Sequence, residues 1–137
     1  IPIGVADVKR VGKDVTVVSF GKIIKEAYKA ADELAKEGIS CEIIDLRSVR
    51  PIDYPAIIRS VKKTNRLVVL EEAWPLASIS TDIAYHVQKN AFDYLDAPVR
   101  RVVNADVPLA YAPSLIEAAL PNAEKLIREI KELMYIV

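Results

Sequence analysis

Short runs rich in valine, isoleucine and leucine, at Val15–Phe20, Cys41–Leu46, Arg66–Leu70 and Val99–Val103, are separated by stretches whose apolar residues recur at helical spacing. No other feature constrains the fold as strongly, because strands alternating with helices build a mainly parallel sheet whose crossovers cover both faces. Leu67-Val68-Val69-Leu70 is apolar at both parities, and burial on two sides is the natural reason for such a run. Ahead of these, Ala6–Val11 and Val15–Phe20 flank Gly12-Lys13-Asp14 and read as a hairpin with a glycine-containing loop. The expected architecture is therefore three-layer α/β/α, with a mainly parallel five-stranded sheet and an edge hairpin.

The helices carry their own punctuation. Ile23, Ala27, Ala31 and Leu34 form one stripe, widened by Ile24, Tyr28 and Ala35, and Gly38 is placed to end that helix in a left-handed cap. Asp53 is placed to cap a second helix, with Pro55 in the first turn, where a missing amide costs nothing. Ile79, Ile83, Val87 and Ala91 mark a third. Leu126, Ile127, Ile130, Leu133 and Met134 mark the last, and Glu124 and Arg128 form a favourable i to i+4 pair on its outer side.

At 137 residues and 52% hydrophobic composition, the chain fits one domain, spanning 1–137, with a single buried core. Lysine plus arginine and aspartate plus glutamate each total 19, so no net field draws in polyanions, and nucleic acid is not an expected partner. The longest apolar runs fall far short of the ~18 residues of a spanning helix, so no membrane is expected either. A lone Cys41 cannot form an internal disulfide, which fits a reducing compartment. Ile1-Pro2-Ile3-Gly4 has the composition of a connection leaving an earlier domain, and the chain reads as a piece of something longer.

Few residues offer chemistry. The four glycines lie in the first third of the chain, leaving no glycine-rich phosphate cradle between the later strands and their helices. Gly21, in the turn Ser19-Phe20-Gly21-Lys22, reads as relief of backbone strain. One histidine and one cysteine cannot assemble a conventional zinc site. His86, at the edge of an apolar stripe, reads as a packed or half-exposed residue, and Cys41 as inert packing. Glu71 and Glu72, adjacent at a strand end, should point to opposite sides of the sheet, one toward a crevice and one toward a solvated rim. Trp74 packs beside them as an interface or loop anchor. Arg50 and Asp53 sit in the charged loop between the Cys41 strand and its helix, outside the carboxyl end of the strand, where ligands and partners gather in open α/β sheets. The expected site residues are thus Arg50, Asp53, Glu71 and Trp74, in an interface or crevice. No residue is expected to be catalytic, to bind a cofactor or to hold a metal.

In order along the chain come Arg50-Pro51-Ile52-Asp53, Lys62-Lys63-Thr64-Asn65-Arg66-Leu67, Glu71-Glu72 with Trp74-Pro75, and Leu95-Asp96-Ala97-Pro98-Val99 with Arg101-Val102. This set resembles the carboxyl-terminal domain of the beta subunits of two-subunit, thiamin-diphosphate-dependent 2-oxo acid dehydrogenases, a transketolase C-terminal-like domain. Ala105-Asp106-Val107-Pro108, Tyr111-Ala112-Pro113 and Leu120-Pro121 are similar to the pyruvate dehydrogenase branch. The chain departs from that family at Ala73 and at Leu76-Ala77-Ser78-Ile79-Ser80, where glycines are usual, at Asn104, which replaces a glycine, and at Ala110, where proline is common.

The resemblance implies oxidative decarboxylation of pyruvate and acetyl transfer to a lipoyl arm, with thiamin diphosphate and magnesium held by the alpha subunit and an amino-terminal domain that this chain lacks. It also implies a second beta subunit as partner, and the subunit-binding domain of a dihydrolipoyl acetyltransferase, to which Asp96 and the terminal carboxylate of Val137 would be offered. The isolated domain is expected to be inactive. Its compartment would be the cytoplasm in a bacterium or the mitochondrial matrix in a eukaryote. Alternatives are a branched-chain 2-oxo acid dehydrogenase beta subunit, a transketolase or deoxyxylulose phosphate synthase domain, and an independent doubly wound module binding an anion near Gly21 or Asp53.

Overall fold

The structure is a computed structural model that describes residues 1–135. Five strands, β1 (Asp7–Arg10), β2 (Val15–Ser19), β3 (Cys41–Asp45), β4 (Leu67–Leu70) and β5 (Arg100–Val102), form one sheet in the order β1-β3-β2-β4-β5. All neighbours pair in parallel except β1 and β3. The helices are α1 (Ile24–Lys36), α2 (Tyr54–Thr64), α3 (Ile79–Ala91), α4 (Pro113–Ala119) and α5 (Ala123–Leu133).

Side-chain parity along the strands divides the core. Val15, Val17, Ile43, Val68 and Leu70 pack with Ala27, Ala31 and Leu34 of α1 and Leu126, Ile130 and Leu133 of α5. Val18, Ile44, Leu67 and Val69 face the other way, onto Ile57 and Val61 of α2 and Ile83 and Val87 of α3. Successive strand residues point to opposite faces, so β4 needs apolar residues at every position, and each of its four is fully buried. The result is the expected three-layer α/β/α arrangement with a mostly parallel sheet.

The edge hairpin is corrected. β1 is an antiparallel edge strand, but its partner is β3, which lies between β1 and β2. The Gly12-Lys13-Asp14 segment bridges this gap instead of reversing tightly. Its Asp14 amide donates to the Ser40 carbonyl at 2.9 Å, and the Asp14 carboxylate accepts the Ser40 amide at 2.7 Å. Gly12 lies flat on the start of β3, where a Cβ would stand 2.2 Å from the Cys41 carbonyl carbon. The glycine is there for close approach between backbones.

Local signals act as their chemistry requires. Asp53 Oδ1 accepts the Ala56 amide at 3.1 Å and caps α2, with Pro55 in the first turn. Gly38 takes φ +81° after α1, where its amide reaches the Ala35 carbonyl and the Ile39 amide reaches that of Leu34. α5 makes surface ion pairs to neighbouring elements, Arg100 with Glu129 at 3.4 Å and Lys131 with Glu37 at 2.9 Å.

Candidate functional site

β2 leads by α1 toward β3, and β4 leads by α3 toward β5, so connections leave these neighbouring strands in opposite directions. The crevice at their carboxyl ends is the usual place for a ligand in an open sheet. Here Glu71 and Glu72 diverge. Glu71 continues the α2/α3 parity of β4, is 4% exposed, and accepts the amides of Ile79 and Ser80 at 3.1 and 2.9 Å. It is a helix cap supplied from across a loop. Glu72 is exposed and lines a cleft of about 440 Å³ with Lys22, Lys25, Glu26, Lys29 and Glu117. Acids match bases there, so the cleft has no single-sign field to draw in an anion.

Above this crevice, the loop from Ala73 to Ser78 is fastened by Arg101. Its guanidinium donates to the Pro75 carbonyl at 2.7 Å, to Ser78 Oγ at 3.2 Å and to Thr81 Oγ1 at 3.0 Å. The loop needs such support because Ala77 is held at φ +56°, a left-handed conformation that costs a non-glycine residue about 1–2 kcal/mol. Trp74 is 54% exposed, with its indole N–H donating to the Val107 carbonyl at 3.1 Å. It packs along the loop that precedes α4.

The loop after β3 places the other expected residues. The Asp53 oxygens are both occupied inside the domain, Oδ2 accepting the Ala6 amide at 2.9 Å. Arg50, followed by a cis peptide to Pro51, is exposed and lines a cavity of about 550 Å³ with Tyr54, Ile79 and Asp82. Tyr54 stacks on His86 with ring centroids 3.7 Å apart, so His86 is a half-buried packing partner. Burial, then the nearby Asp82 charge, raises the Tyr54 phenol above its ordinary range.

Asp96 lies elsewhere, beside β5. It lines an apolar groove of about 610 Å³ between α3 and the segment leading into β5, together with Tyr85, Phe92, Pro98, Val99 and Tyr135. Tyr85 and Phe92 are 61% and 64% exposed. Asp96 is open to solvent, 3.9 Å from the Arg66 guanidinium, and its amide donates to the Asn65 carbonyl at 2.9 Å. An acidic rim on an aromatic groove suits a partner presenting a cation beside apolar side chains. Val137, expected to join Asp96, lies outside the described residues. The structure thus brings Asp96 together with aromatics that the sequence reading did not single out, and keeps it apart from Arg50 and Glu71.

At the amino ends of the strands, burial pushes Glu42 up. Hydrogen bonds from Lys63, from Ser60 at 2.6 Å and from the Gly12 amide at 3.2 Å outweigh it, and the carboxyl is held below its ordinary range. Thr16 Oγ1 extends this network to Ser60 and Thr64, each at 2.6 Å. Burial drives the Cys41 thiol up to about 11, so it stays protonated and unreactive.

Among the described residues, no three His, Cys, Asp or Glu side chains are grouped to hold a metal ion. Of the carboxylates nearest the crevice, Glu71 is spent on capping α3 and Glu26 on its pair with Lys29. No helix among them is long and apolar enough to cross a membrane.

An antiparallel edge strand on a parallel sheet, two helical layers and a capped loop at the switch point define a known class of domain. The Transketolase, C-terminal domain family matches residues 4–126, and the chain belongs to it. Over 135 residues it is 50% identical to the pyruvate dehydrogenase E1 component subunit beta of Rhizobium meliloti, covering 98% of this chain and 29% of that protein. It is 48% identical over 131 residues to the mitochondrial pyruvate dehydrogenase E1 component subunit beta of Dictyostelium discoideum, covering 96% and 37%. The chain therefore spans about a third of the length of these relatives. Among solved structures it is similar to a split gene transketolase described as an inactive beta4 tetramer, with a TM-score of 0.85, 26% identity, and coverage of 99% of this chain and 43% of that one. A 2-oxoglutarate:ferredoxin oxidoreductase from Magnetococcus marinus shares the fold, with a TM-score of 0.62, 13% identity, and coverage of 94% and 19%.

Proposed function

We propose that residues 1–137 are the carboxyl-terminal domain of the beta subunit of a thiamin-diphosphate-dependent pyruvate dehydrogenase, and that this domain serves assembly and docking. The observation that carries the reading is about 50% identity to E1 beta subunits over nearly the whole chain, combined with coverage of about a third of their length. In this reading, decarboxylation of pyruvate and acetyl transfer to lipoyl take place on an amino-terminal domain and an alpha subunit, which hold thiamin diphosphate and magnesium. The domain alone turns nothing over, and its described residues contribute no ligand to the cofactor. Its partners are the alpha subunit, a second beta subunit and the subunit-binding domain of a dihydrolipoyl acetyltransferase. The compartment is the bacterial cytoplasm or the mitochondrial matrix, according to the host.

The groove beside Asp96 is the docking surface. Tyr85 and Phe92 supply the apolar contact, and Asp96 steers a basic partner toward it. Exposed charge pairs contribute only about 0–1 kcal/mol, so steering matters more here than anchoring. The test is titration of the subunit-binding domain onto assembled enzyme carrying Asp96→Lys. Affinity should fall by about threefold to fivefold at low salt, through slower association, with the difference closing as salt rises. Unchanged affinity at low salt removes Asp96 from the docking surface.

A further inference from the structure

Asp96 is the one charged side chain lining the α3 groove, and a cation of the chain itself already stands beside it. Arg66, between α2 and β4, brings its guanidinium to 3.9 Å from Asp96 Oδ2, with the Arg66 side chain 23% exposed and that of Asp96 58%. Charge-assisted hydrogen bonds close to about 2.7–2.9 Å, so this pair attracts without locking. Arg66 Nε is buried and has no hydrogen-bond partner among the described residues. The placement of the guanidinium therefore comes from its backbone and packing, not from bonds made by that nitrogen.

That backbone is tightly held. The Arg66 carbonyl accepts the Thr16 amide at 2.9 Å and the Thr64 hydroxyl at 3.1 Å, which ties the residue to β2 and to the last turn of α2. Asn65, just before it, ends α2 in a left-handed cap at φ +65°. Its carbonyl accepts the Asp96 amide at 2.9 Å, and its side-chain amide donates to the Tyr94 carbonyl at 2.8 Å. Arg66 and Asp96 are thus fastened to the same residue, and the distance between them is a built feature of the fold. Lys62, on the last turn of α2, sets a second cation 5.1 Å from the centre of the Tyr94 ring. The acid that rims the groove is backed by cations from the end of α2.

We propose that Arg66 is a specificity-determining residue of this groove: it opposes the partner's cation at Asp96, and so sets how strongly the groove prefers a basic partner over a neutral one. This rests on the reading of the Asp96 groove as the docking surface. A partner's cation that reaches Asp96 comes within a few ångströms of the guanidinium as well. Repulsion at a wet rim is weak and is screened by salt, yet it acts on every basic partner, and it keeps docking exchangeable.

The test is titration of the subunit-binding domain of the acetyltransferase onto assembled enzyme carrying changes at Arg66. Arg66→Met keeps the half-buried stem and removes the charge, and affinity should rise by about twofold to fourfold at low salt, with the gain closing as salt rises. Arg66→Gln removes the charge with a different head, and should give the same gain where the methionine variant assembles poorly. Arg66→Lys keeps the charge, and its affinity should stay close to that of the unmodified enzyme. A side chain that only supports the fold gives no gain on removal and no distinction between lysine and methionine. Unchanged or weaker docking by both Arg66→Met and Arg66→Gln, or a gain that persists at high salt, overturns the inference. Asp96→Lys reports on the underlying reading separately: docking weakened by Asp96→Lys but not strengthened by Arg66→Met sinks the inference alone, whereas indifference to Asp96→Lys sinks both.

Discussion

Glu71 holds the first turn of α3 by accepting the Ser80 amide at 2.9 Å, nine residues further along the chain. The loop between them carries Trp74 and the left-handed Ala77, so one buried carboxylate fixes both ends of the segment that overhangs the switch-point crevice.

Glu71→Ala removes the acceptor for two helix amides in a buried place. The expected loss is about 2–3 kcal/mol, since hydrogen bonds to a charged group are among the stronger ones and the amides are left without a partner. Urea unfolding measures it. Glu71→Gln keeps one acceptor and should lose about half as much. Equal stability of Glu71→Ala and wild type contradicts the capping role.

Ala77→Gly should stabilise the chain by about 0.5–1 kcal/mol, because glycine adopts φ +56° without the Cβ clash and gives back part of that gain in unfolded-state entropy. Thermal melts of the two proteins decide it. A lower melting temperature for the glycine variant means that Ala77 is not strained.

Gly12→Ala places a methyl group 2.2 Å from the Cys41 carbonyl carbon, against backbone that cannot yield without separating β1 from β3. The expected loss is about 3 kcal/mol, at the upper end of the range typical of overpacked cores. Denaturation of the soluble fraction reports it, and near-neutral behaviour rules out the close approach.

Glu42 has a folded-state pKa below the ordinary 4.5. A depressed carboxyl contributes stability that is fully present above its unfolded pKa and is lost as pH falls through its folded value. Stability should therefore decline below about pH 4.5, less steeply in Glu42→Gln, which should already be weaker by about 1–3 kcal/mol at neutral pH. Parallel pH profiles for the two proteins assign the acid loss to other carboxylates.

The sequence showed most of what depends on neighbouring residues. Apolar spacing locates α1, α2, α3 and α5, Asp53 and Gly38 mark helix ends, and the two-sided run at Leu67–Leu70 marks a central strand. Strand order was hidden, because placing β3 between β1 and β2 depends on Gly12 lying against Cys41, a contact between residues 29 positions apart. α4 was missed because its seven residues are too few for an apolar stripe to repeat, and only Ala119 is buried. At the candidate sites, the divergence of Glu71 and Glu72 followed from strand parity. The Arg101 clamp and the aromatic groove around Asp96 arise from elements that meet only after folding, and no local pattern announces them.

The depth of Cys41 makes the sole thiol of this chain a clock for global opening. While the fold is closed, an alkylating reagent finds neither access nor thiolate, so its rate of reaction counts excursions in which β3 leaves the sheet. A cysteine introduced anywhere on the surface can therefore carry a fluorophore or spin label selectively, with the native residue left in place.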